Sequence, residues 1–196
     1  MKTKTVKIVL FLPVFCLFLS SCVKVKEVPP IHYYRIAIET RGLKAVDIPA
    51  YGSIKVTVKG MMSRSIYYLD KKYGKNAFYL NRWAEPPDDM IKKKIILAIK
   101  ETGLATDVLS ADSLASTQYL LEIEIDDLSM HIQDDGGEGV VVISAVLVDT
   151  KHSRPIKNSL FRCGSPSSAV SPMDSVDAIN KAADRCVTRI YDWLAK

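Results

Sequence analysis

The chain has 196 residues, a length that fits one domain of ordinary size. With 48% hydrophobic and 25% charged residues it has the composition of a globular protein, which excludes a disordered, collagenous or coiled-coil chain. Its net charge of +5 falls to +2 without the first 21 residues, which carry three lysines and no acidic residue. Because nucleic-acid-binding proteins usually show a clustered basic surface, we expect no nucleic-acid partner for a chain so close to neutral.

The first residues have the layout of a secretory signal peptide. Three lysines precede Ile8–Leu19, a run without a charge. As a helix this run would span about 18 Å, which is too short for a bilayer core of about 30 Å. It ends in Leu19-Ser20-Ser21-Cys22, which resembles the bacterial lipobox. We therefore predict a lipoprotein signal peptide at residues 1–21; the alternative is a plain secreted protein cut near the same place.

The lipobox resemblance also implies a lipid modification of the cleaved chain. Cys22 receives diacylglycerol on its sulfur and an acyl chain, such as palmitate, on its new amino group, and more than one chain makes a lasting membrane anchor. Residue 23 is valine rather than aspartate, which, by resemblance to enterobacterial sorting, implies the periplasmic face of the outer membrane. Charged residues and Pro29-Pro30 predict a lipidated tether over residues 22–31, followed by a folded domain over residues 32–196.

The first half of this domain predicts four strands and one helix. The strands are indicated by period-two alternation or by tyrosine-rich apolar runs: Tyr33–Ile38, Ser53–Lys59, Ser65–Asp70 and Asn76–Trp83. The last two predict a hairpin that turns at Lys71–Lys75. Pro86-Pro87-Asp88-Asp89 predicts the start of an amphipathic helix, and Gly103 its end.

The second half predicts a run of neighbouring strands and a final helix. Three strands are expected at Tyr119–Ile125, Val140–Val148 and Ile156–Arg162, and the middle one is apolar on both faces, which is typical of a central strand. Ser171-Pro172 predicts the cap of an amphipathic helix that continues to Leu194. The predicted fold class is α+β, a single domain with a mostly antiparallel sheet and two amphipathic helices packed on it.

Two cysteines remain as thiols in the mature chain. Cys16 leaves with the signal peptide and Cys22 becomes a thioether, so Cys163 and Cys186 are left. In an oxidising periplasm they can form a disulfide. Cys186 also falls on the apolar face of the last predicted helix, which suits a buried free thiol equally well. Both alternatives stay open.

The sequence contains no recognisable catalytic motif. The histidines are scattered, and the metal, nucleophile-elbow and phosphate-binding patterns HExxH, GxSxG, P-loop and GxGxxG are absent. Asp126-Asp127 and Asp134-Asp135 lack the order of an EF-hand, so we interpret them as carboxylates at a turn and a strand edge. We predict a protein that is not an enzyme and has no metal or cofactor besides the acyl chains on Cys22.

Two features stand out as candidate interaction sites. Tyrosines are frequent between Tyr33 and Tyr79, and their amphipathic rings suit an interface or a lipid-contacting groove; the alternative is sheet packing with hydroxyl groups at the rim. The second feature surrounds Arg82, Trp83 and Glu85 just before Pro86-Pro87. These three residues either contact a partner or stabilise a corner between strand and helix.

The tyrosine-rich strand that leads into Trp83-Ala84-Glu85-Pro86-Pro87 and then a helix resembles the ABC-type transport auxiliary lipoprotein family. Further matches occur in order along the chain: Tyr33-Tyr34-Arg35, Gly103-Leu104, Tyr119-Leu120-Leu121-Glu122-Ile123, Leu147-Val148-Asp149 and Trp193-Leu194. Lys59–Arg64 departs from the family pattern, which leaves details of that surface open.

The resemblance implies a non-enzymatic periplasmic lipoprotein that accompanies an ABC transporter. Its implied partners are an MCE-domain protein with an ABC permease and ATPase, and the implied process is lipid transport between the inner and outer membranes. The chain has no Walker motif, so the energy would come from that ATPase. Two alternatives remain, a lipid-binding module and an assembly lipoprotein for an outer-membrane complex, and a homo-oligomer is open.

Overall fold

The structure, a computed structural model, describes residues 27–39 and 42–196. The predicted signal peptide and Cys22 lie outside the described residues. Ile31–Lys196 form one compact unit. No helix in the described part of the chain is both long enough and apolar enough to cross a membrane. The elements, in chain order, are β1 (His32–Tyr34), β2 (Tyr51–Lys59), β3 (Ser65–Asp70), β4 (Gly74–Trp83), α1 (Pro87–Glu101), β5 (Ala105–Ser110), β6 (Tyr119–Gln133), β7 (Gly136–Asp149), β8 (Arg154–Ser167) and α2 (Pro172–Leu194).

All of these strands belong to one sheet, which branches at β6. One edge of β6 pairs with β7 along almost its whole length, and β7 pairs with β8. The other edge of β6 is shared: residues 119–124 pair with β2, and residues 129–131 pair with β3. β5 extends the β2 branch, whereas β4 and β1 extend the β3 branch. The β3–β4 hairpin is thus an arm that leaves the main sheet at β3.

The α+β class is correct, but the sheet is mixed, and the prediction of a mostly antiparallel sheet was wrong. Four strand pairings are parallel, β1–β4, β2–β5, β2–β6 and β3–β6, and three are antiparallel, β3–β4, β6–β7 and β7–β8. A short loop between two predicted strands indicates that they pair in an antiparallel manner, but it gives no information on pairing between strands that are distant in the sequence. The parallel partners are separated by long crossovers, such as the hairpin and α1 between β2 and β5.

Both helices begin where the sequence predicts. Pro87 opens α1, with Asp88 and Asp89 in its first turn. The Ser171 hydroxyl caps α2 by accepting the backbone N–H of Asp174. After α1, Gly103 has a φ of 68°, a left-handed conformation that glycine adopts without strain. Both predicted helix starts are confirmed. They were predictable because proline, acidic and capping residues act on the first turn of the helix in which they occur.

Helix α2 packs directly on β7 and β8 and closes the core. At Gly139 on β7 an added Cβ would lie 2.4 Å from the carbonyl carbon of Ala178, so the helix backbone rests on the strand backbone. Ala182 and Ala183 are small and fully buried, which permits this close approach. Among the described residues, the buried apolar side chains all lie between Ile36 and Leu194, so the core needs no contribution from the tether.

Residues 35–39 are extended but have no partner strand, so the strand predicted to run to Ile38 ends at Tyr34. The backbone N–H of Ala37 donates to Asn180 Oδ1 at 3.1 Å, and that of Glu39 donates to Asp184 Oδ1 at 3.0 Å. Ile36 and Ile38 are buried. The alternation in the sequence therefore reflects real burial, while side chains of α2 take the place of a neighbouring strand.

Candidate functional site

Trp83 closes β4 as a fully buried side chain and anchors the corner that leads to α1. Its backbone N–H donates to the carbonyl of Arg64 at 2.7 Å, and Arg64 Nε donates to the Trp83 carbonyl at 3.0 Å. Among the described residues, no hydrogen-bond acceptor faces its buried Nε1. The ring therefore stabilises the corner through apolar packing.

Asn81 and Arg82 hold an irregular stretch of β4. Leu80 has a φ of 61°, a conformation that costs a branched side chain energy, and the β3–β4 register shifts nearby. Asn81 Nδ2 donates to the Tyr79 carbonyl at 2.7 Å. An Arg82 Nη donates to the carbonyls of Phe78 at 3.1 Å and Asn81 at 2.8 Å. The two side chains thus satisfy carbonyl groups around the irregularity.

Glu85 completes the corner through an ion pair with Lys93 of α1. Between Trp83 and Glu85, the backbone N–H of Ala84 donates to the carbonyl of Tyr34 at 2.6 Å, which ties the corner to β1. Arg82, Trp83 and Glu85 therefore all bond or pack within the chain. This geometry favours the structural-corner alternative over partner contact for these three residues.

The tyrosines divide into a packed group and an exposed group. Tyr68 stacks on Phe78 with ring centres 4.8 Å apart, and the Tyr34 hydroxyl donates to Asn81 Oδ1 at 3.2 Å. Tyr33, Tyr73 and Tyr79 are instead exposed. The packed rings fit the sheet-packing alternative, whereas the exposed rings leave an aromatic surface on the β3–β4 branch.

This surface lies on the outer side of the β3–β4 hairpin. The register pairs Tyr67 with Ala77 and Leu69 with Lys75, so these side chains share a face, which Tyr79 extends along β4. Tyr73, 70% exposed, stands in the turn. We name this set the hairpin face; its members are Tyr67, Leu69, Lys75, Ala77 and Tyr79 with the turn residues Lys71, Lys72 and Tyr73.

The hairpin face is also basic. Lys72 Nζ lies 4.9 Å from the ring centre of Tyr73, and Lys75 Nζ lies 4.8 Å from that of Tyr67. The acidic side chain within the hairpin, Asp70, accepts the backbone N–H groups of Lys72 and Tyr73 and so shapes the turn. The sequence singled out the tyrosines of this region but not its basic character, because the net charge of the whole chain is close to neutral.

Cys163 on β8 and Cys186 on α2 face each other in the core. Their Cα atoms are 5.7 Å apart, and their geometry is that of a disulfide, within the usual range of 4.4–6.8 Å. Both side chains are buried. We propose that the pair is oxidised in the cell and links α2 to the sheet edge.

Of the carboxylates considered for a cation site, Asp126 and Asp127 form hydrogen bonds within the sheet, whereas Asp134 and Asp135 lie in the turn between β6 and β7. Asp127 accepts a hydrogen bond from the Ser129 hydroxyl at 2.7 Å and contacts His131 Nε2 at 2.7 Å. Asp126 accepts one from Ser144 at 2.7 Å. Over residues 27–39 and 42–196 no group of three or more His, Cys, Asp or Glu side chains is placed to hold a metal ion.

Each of two polar pairs on the surface shifts the pKa of one of its members. The hydrogen bond from His152 holds the pKa of Asp149 below its usual value, supported by backbone N–H groups in the same turn. The hydrogen bond to Asp89 raises the pKa of Lys92. The charged form of Asp149 is favoured in one pair and that of Lys92 in the other, which is the behaviour of structural pairs.

Comparisons with known proteins agree with this fold. The crystal structure of a DUF330 protein from Xanthomonas campestris is similar with a TM-score of 0.71 at 15% identity, over 82% of this chain and 93% of that one. A crystal structure described as an uncharacterized protein has a TM-score of 0.60 at 14% identity, over 84% of this chain and 99% of that one. At such identities the likeness shows the fold alone.

The sequence comparison identifies the family. No curated protein sequence matches the chain significantly. Residues 55–191 match the family model described as the ABC-type transport auxiliary lipoprotein component. The match includes Arg82, Trp83 and Glu85 and extends from β2 into α2. Because it covers more than half of the chain, the protein belongs to the family of ABC-type transport auxiliary lipoprotein components.

Proposed function

We propose that the protein is a non-enzymatic accessory subunit of an MCE-type ABC transporter and serves lipid transport between the inner and outer membranes. The observation that carries this proposal is the family match over residues 55–191. The lipobox at Leu19-Ser20-Ser21-Cys22 supports it, because an auxiliary lipoprotein requires an acylated cysteine. In this role the domain docks a transporter component while a separate ATPase supplies the energy.

The proposed anchor fits the organisation of the domain. The first strand begins at His32 and the buried core at Ile36, so the residues before His32 can act as a tether. The ten residues 22–31 span at most about 33–36 Å when extended. A domain held by Cys22 therefore works close to the membrane, and we place it on the periplasmic face of the outer membrane because residue 23 is not aspartate.

The lipid-binding alternative has less support from the surface. One cleft of about 270 Å³ lies between the extended segment at Arg35–Ala37 and α1 near Met90 and Lys93. A second, of similar volume, lies between Glu39 and α2. Both are smaller than the roughly 300–1,000 Å³ of typical ligand pockets. A lipid carried by the domain itself would be recovered by mass spectrometry of the purified mature protein.

The anchor is tested by Cys22→Ala with Cys16→Ala as the matched control, since Cys16 lies in the predicted signal peptide and is not the cysteine expected to carry the acyl chains. Membranes are separated on a density gradient after labelling with a palmitate analogue. We expect Cys22→Ala to lose the label and its place in the outer-membrane fraction, while Cys16→Ala keeps both. A soluble Cys22→Ala protein with full transport activity would contradict the anchored role.

A further inference from the structure

The positive charge of the mature chain is concentrated on one arm of the fold. Residues 60–84 contain one acidic residue, Asp70, and five basic ones, which gives this segment a net charge of +4. Since the mature chain as a whole is expected to carry +2, the remainder is net negative. The basic residues are Arg64, Lys71, Lys72, Lys75 and Arg82.

The same arm exposes apolar and aromatic side chains. Tyr79 is 80% exposed, Tyr73 is exposed in the turn and Leu69 lies on the same outer face of the hairpin. The ammonium groups of Lys72 and Lys75 lie over the rings of Tyr73 and Tyr67, so positive charge and aromatic surface occur together. Aromatic rings flanked by basic side chains are typical of a surface that lies in the headgroup region of a bilayer.

The start of β1 is the end of that strand nearer to the hairpin turn. β1 runs parallel to β4, with His32 opposite Asn81 and Tyr34 opposite Trp83. β4 runs from the turn at Gly74 toward Trp83, so β1 also runs away from the turn, with His32 at the nearer end. The turn lies seven residues from Asn81, or about 23 Å along the strand. The ten residues 22–31 span at most about 33–36 Å when extended, which exceeds this distance.

We propose that the hairpin face docks on an anionic phospholipid bilayer, namely the membrane that holds the acyl chains of Cys22. The lysines of the turn contact phospholipid phosphates, and the exposed tyrosines lie among the headgroups. This fixes the orientation of the domain so that α2, which packs on the opposite face of the sheet, faces away from the membrane toward a transporter. The orientation rests on the proposed anchor, whereas the affinity of the hairpin face for lipid does not.

The test uses the chain from Val23 to Lys196 without acyl chains, which contains the whole buried core. It is sedimented with vesicles of phosphatidylethanolamine and phosphatidylglycerol at 3:1 and with phosphatidylcholine vesicles. Near an anionic surface each lysine strengthens binding about fivefold. Lys71, Lys72 and Lys75 changed together to alanine should therefore weaken binding to the anionic vesicles about a hundredfold, and salt should weaken wild-type binding.

A matched control removes the same charge elsewhere, with Lys100, Lys151 and Lys196 changed to alanine. The control should bind anionic vesicles with an affinity within a few-fold of that of the wild type. Tyr73→Ser, which keeps the charge, should bind them more weakly than the wild type.

Equal binding by the two triple variants, or no wild-type binding to anionic vesicles, would overturn the proposal. So would a hairpin variant that binds vesicles normally but loses transporter subunits in native membranes, because the face would then contact protein. Failure of the anchor alone would leave vesicle binding intact, which separates the two proposals.

Discussion

Loss of the link between Cys163 and Cys186 should lower the free energy of unfolding by about 3.5 kcal/mol. The two residues are 23 positions apart, and a link across a loop of that length removes about 12 cal/mol/K of chain entropy from the unfolded state. Both side chains are buried, so changing both to alanine leaves no unpaired polar group. For a domain of this size the melting temperature should fall by about 7–14 °C.

The assay is urea unfolding of the mature domain with and without dithiothreitol, beside the double variant Cys163→Ala/Cys186→Ala. Reductant should move the wild-type midpoint to lower urea and leave the double variant unchanged, which controls for effects of the reductant elsewhere. Mass spectrometry of the untreated protein should find no free thiol at either position. Two free thiols, together with a wild-type urea midpoint that does not change on addition of reductant, would refute the disulfide and leave the buried-thiol alternative.

Three further predictions concern packing and ionisation. Trp83→Ala should lower the free energy of unfolding by about 3–5 kcal/mol because the ring is fully buried, whereas the exposed Tyr79→Ala on the same strand should change it by less than about 0.5 kcal/mol; similar urea midpoints for the two would disprove the anchoring role of Trp83. Gly139→Ala should cost about 1–3 kcal/mol in the same assay because the new Cβ meets the backbone of α2 at Ala178, and an unchanged midpoint would show that helix and strand are not in close contact. Since His152 lowers the pKa of Asp149, the ionised carboxylate stabilises the fold above the usual carboxyl pKa, and this contribution is lost as the pH falls through the lowered value. As the pH is lowered below about 4, the melting temperature of Asp149→Asn should therefore fall less than that of the wild type. Superimposable profiles of melting temperature against pH would contradict the interaction between Asp149 and His152.

Local signals in the sequence were sufficient for much of the fold. Both helix starts follow from proline and capping residues, and the central place of β7 follows from its apolar character on both faces, since the structure places it between β6 and β8. The hairpin of β3 and β4 was also predicted, because a polar turn separates two tyrosine-rich runs.

Pairing between distant strands could not be predicted in the same way. Parallel partners such as β2 and β6 are separated in the sequence by a hairpin, a helix and β5. No local sequence pattern indicates which residues of two such distant strands pair. β5 itself was missed because Ala105–Ser110 has only two buried apolar residues, Ala105 and Val108. At residues 35–39 the alternation was real, but its backbone partners are Asn180 and Asp184, which lie about 145 residues away.

For the candidate site, the sequence identified the residues of a motif but not where they lie in the fold. The sequence singled out Arg82, Trp83 and Glu85, and the structure places them in a corner of the fold, with Trp83 in the core. The tyrosines of the hairpin face were also singled out, but its positive charge was not predicted, because the net charge of the whole chain is close to neutral. Its side chains share a face only through the β3–β4 register, which depends on the turn at Asp70.

The accessory role is tested most directly by crosslinked affinity purification of the full-length lipoprotein from native membranes, with Cys22→Ala as the control. The account predicts recovery of an MCE-domain protein together with its ABC permease and ATPase, and their loss from the Cys22→Ala sample. Recovery of an outer-membrane barrel without any transporter subunit would contradict the accessory role and favour an assembly lipoprotein.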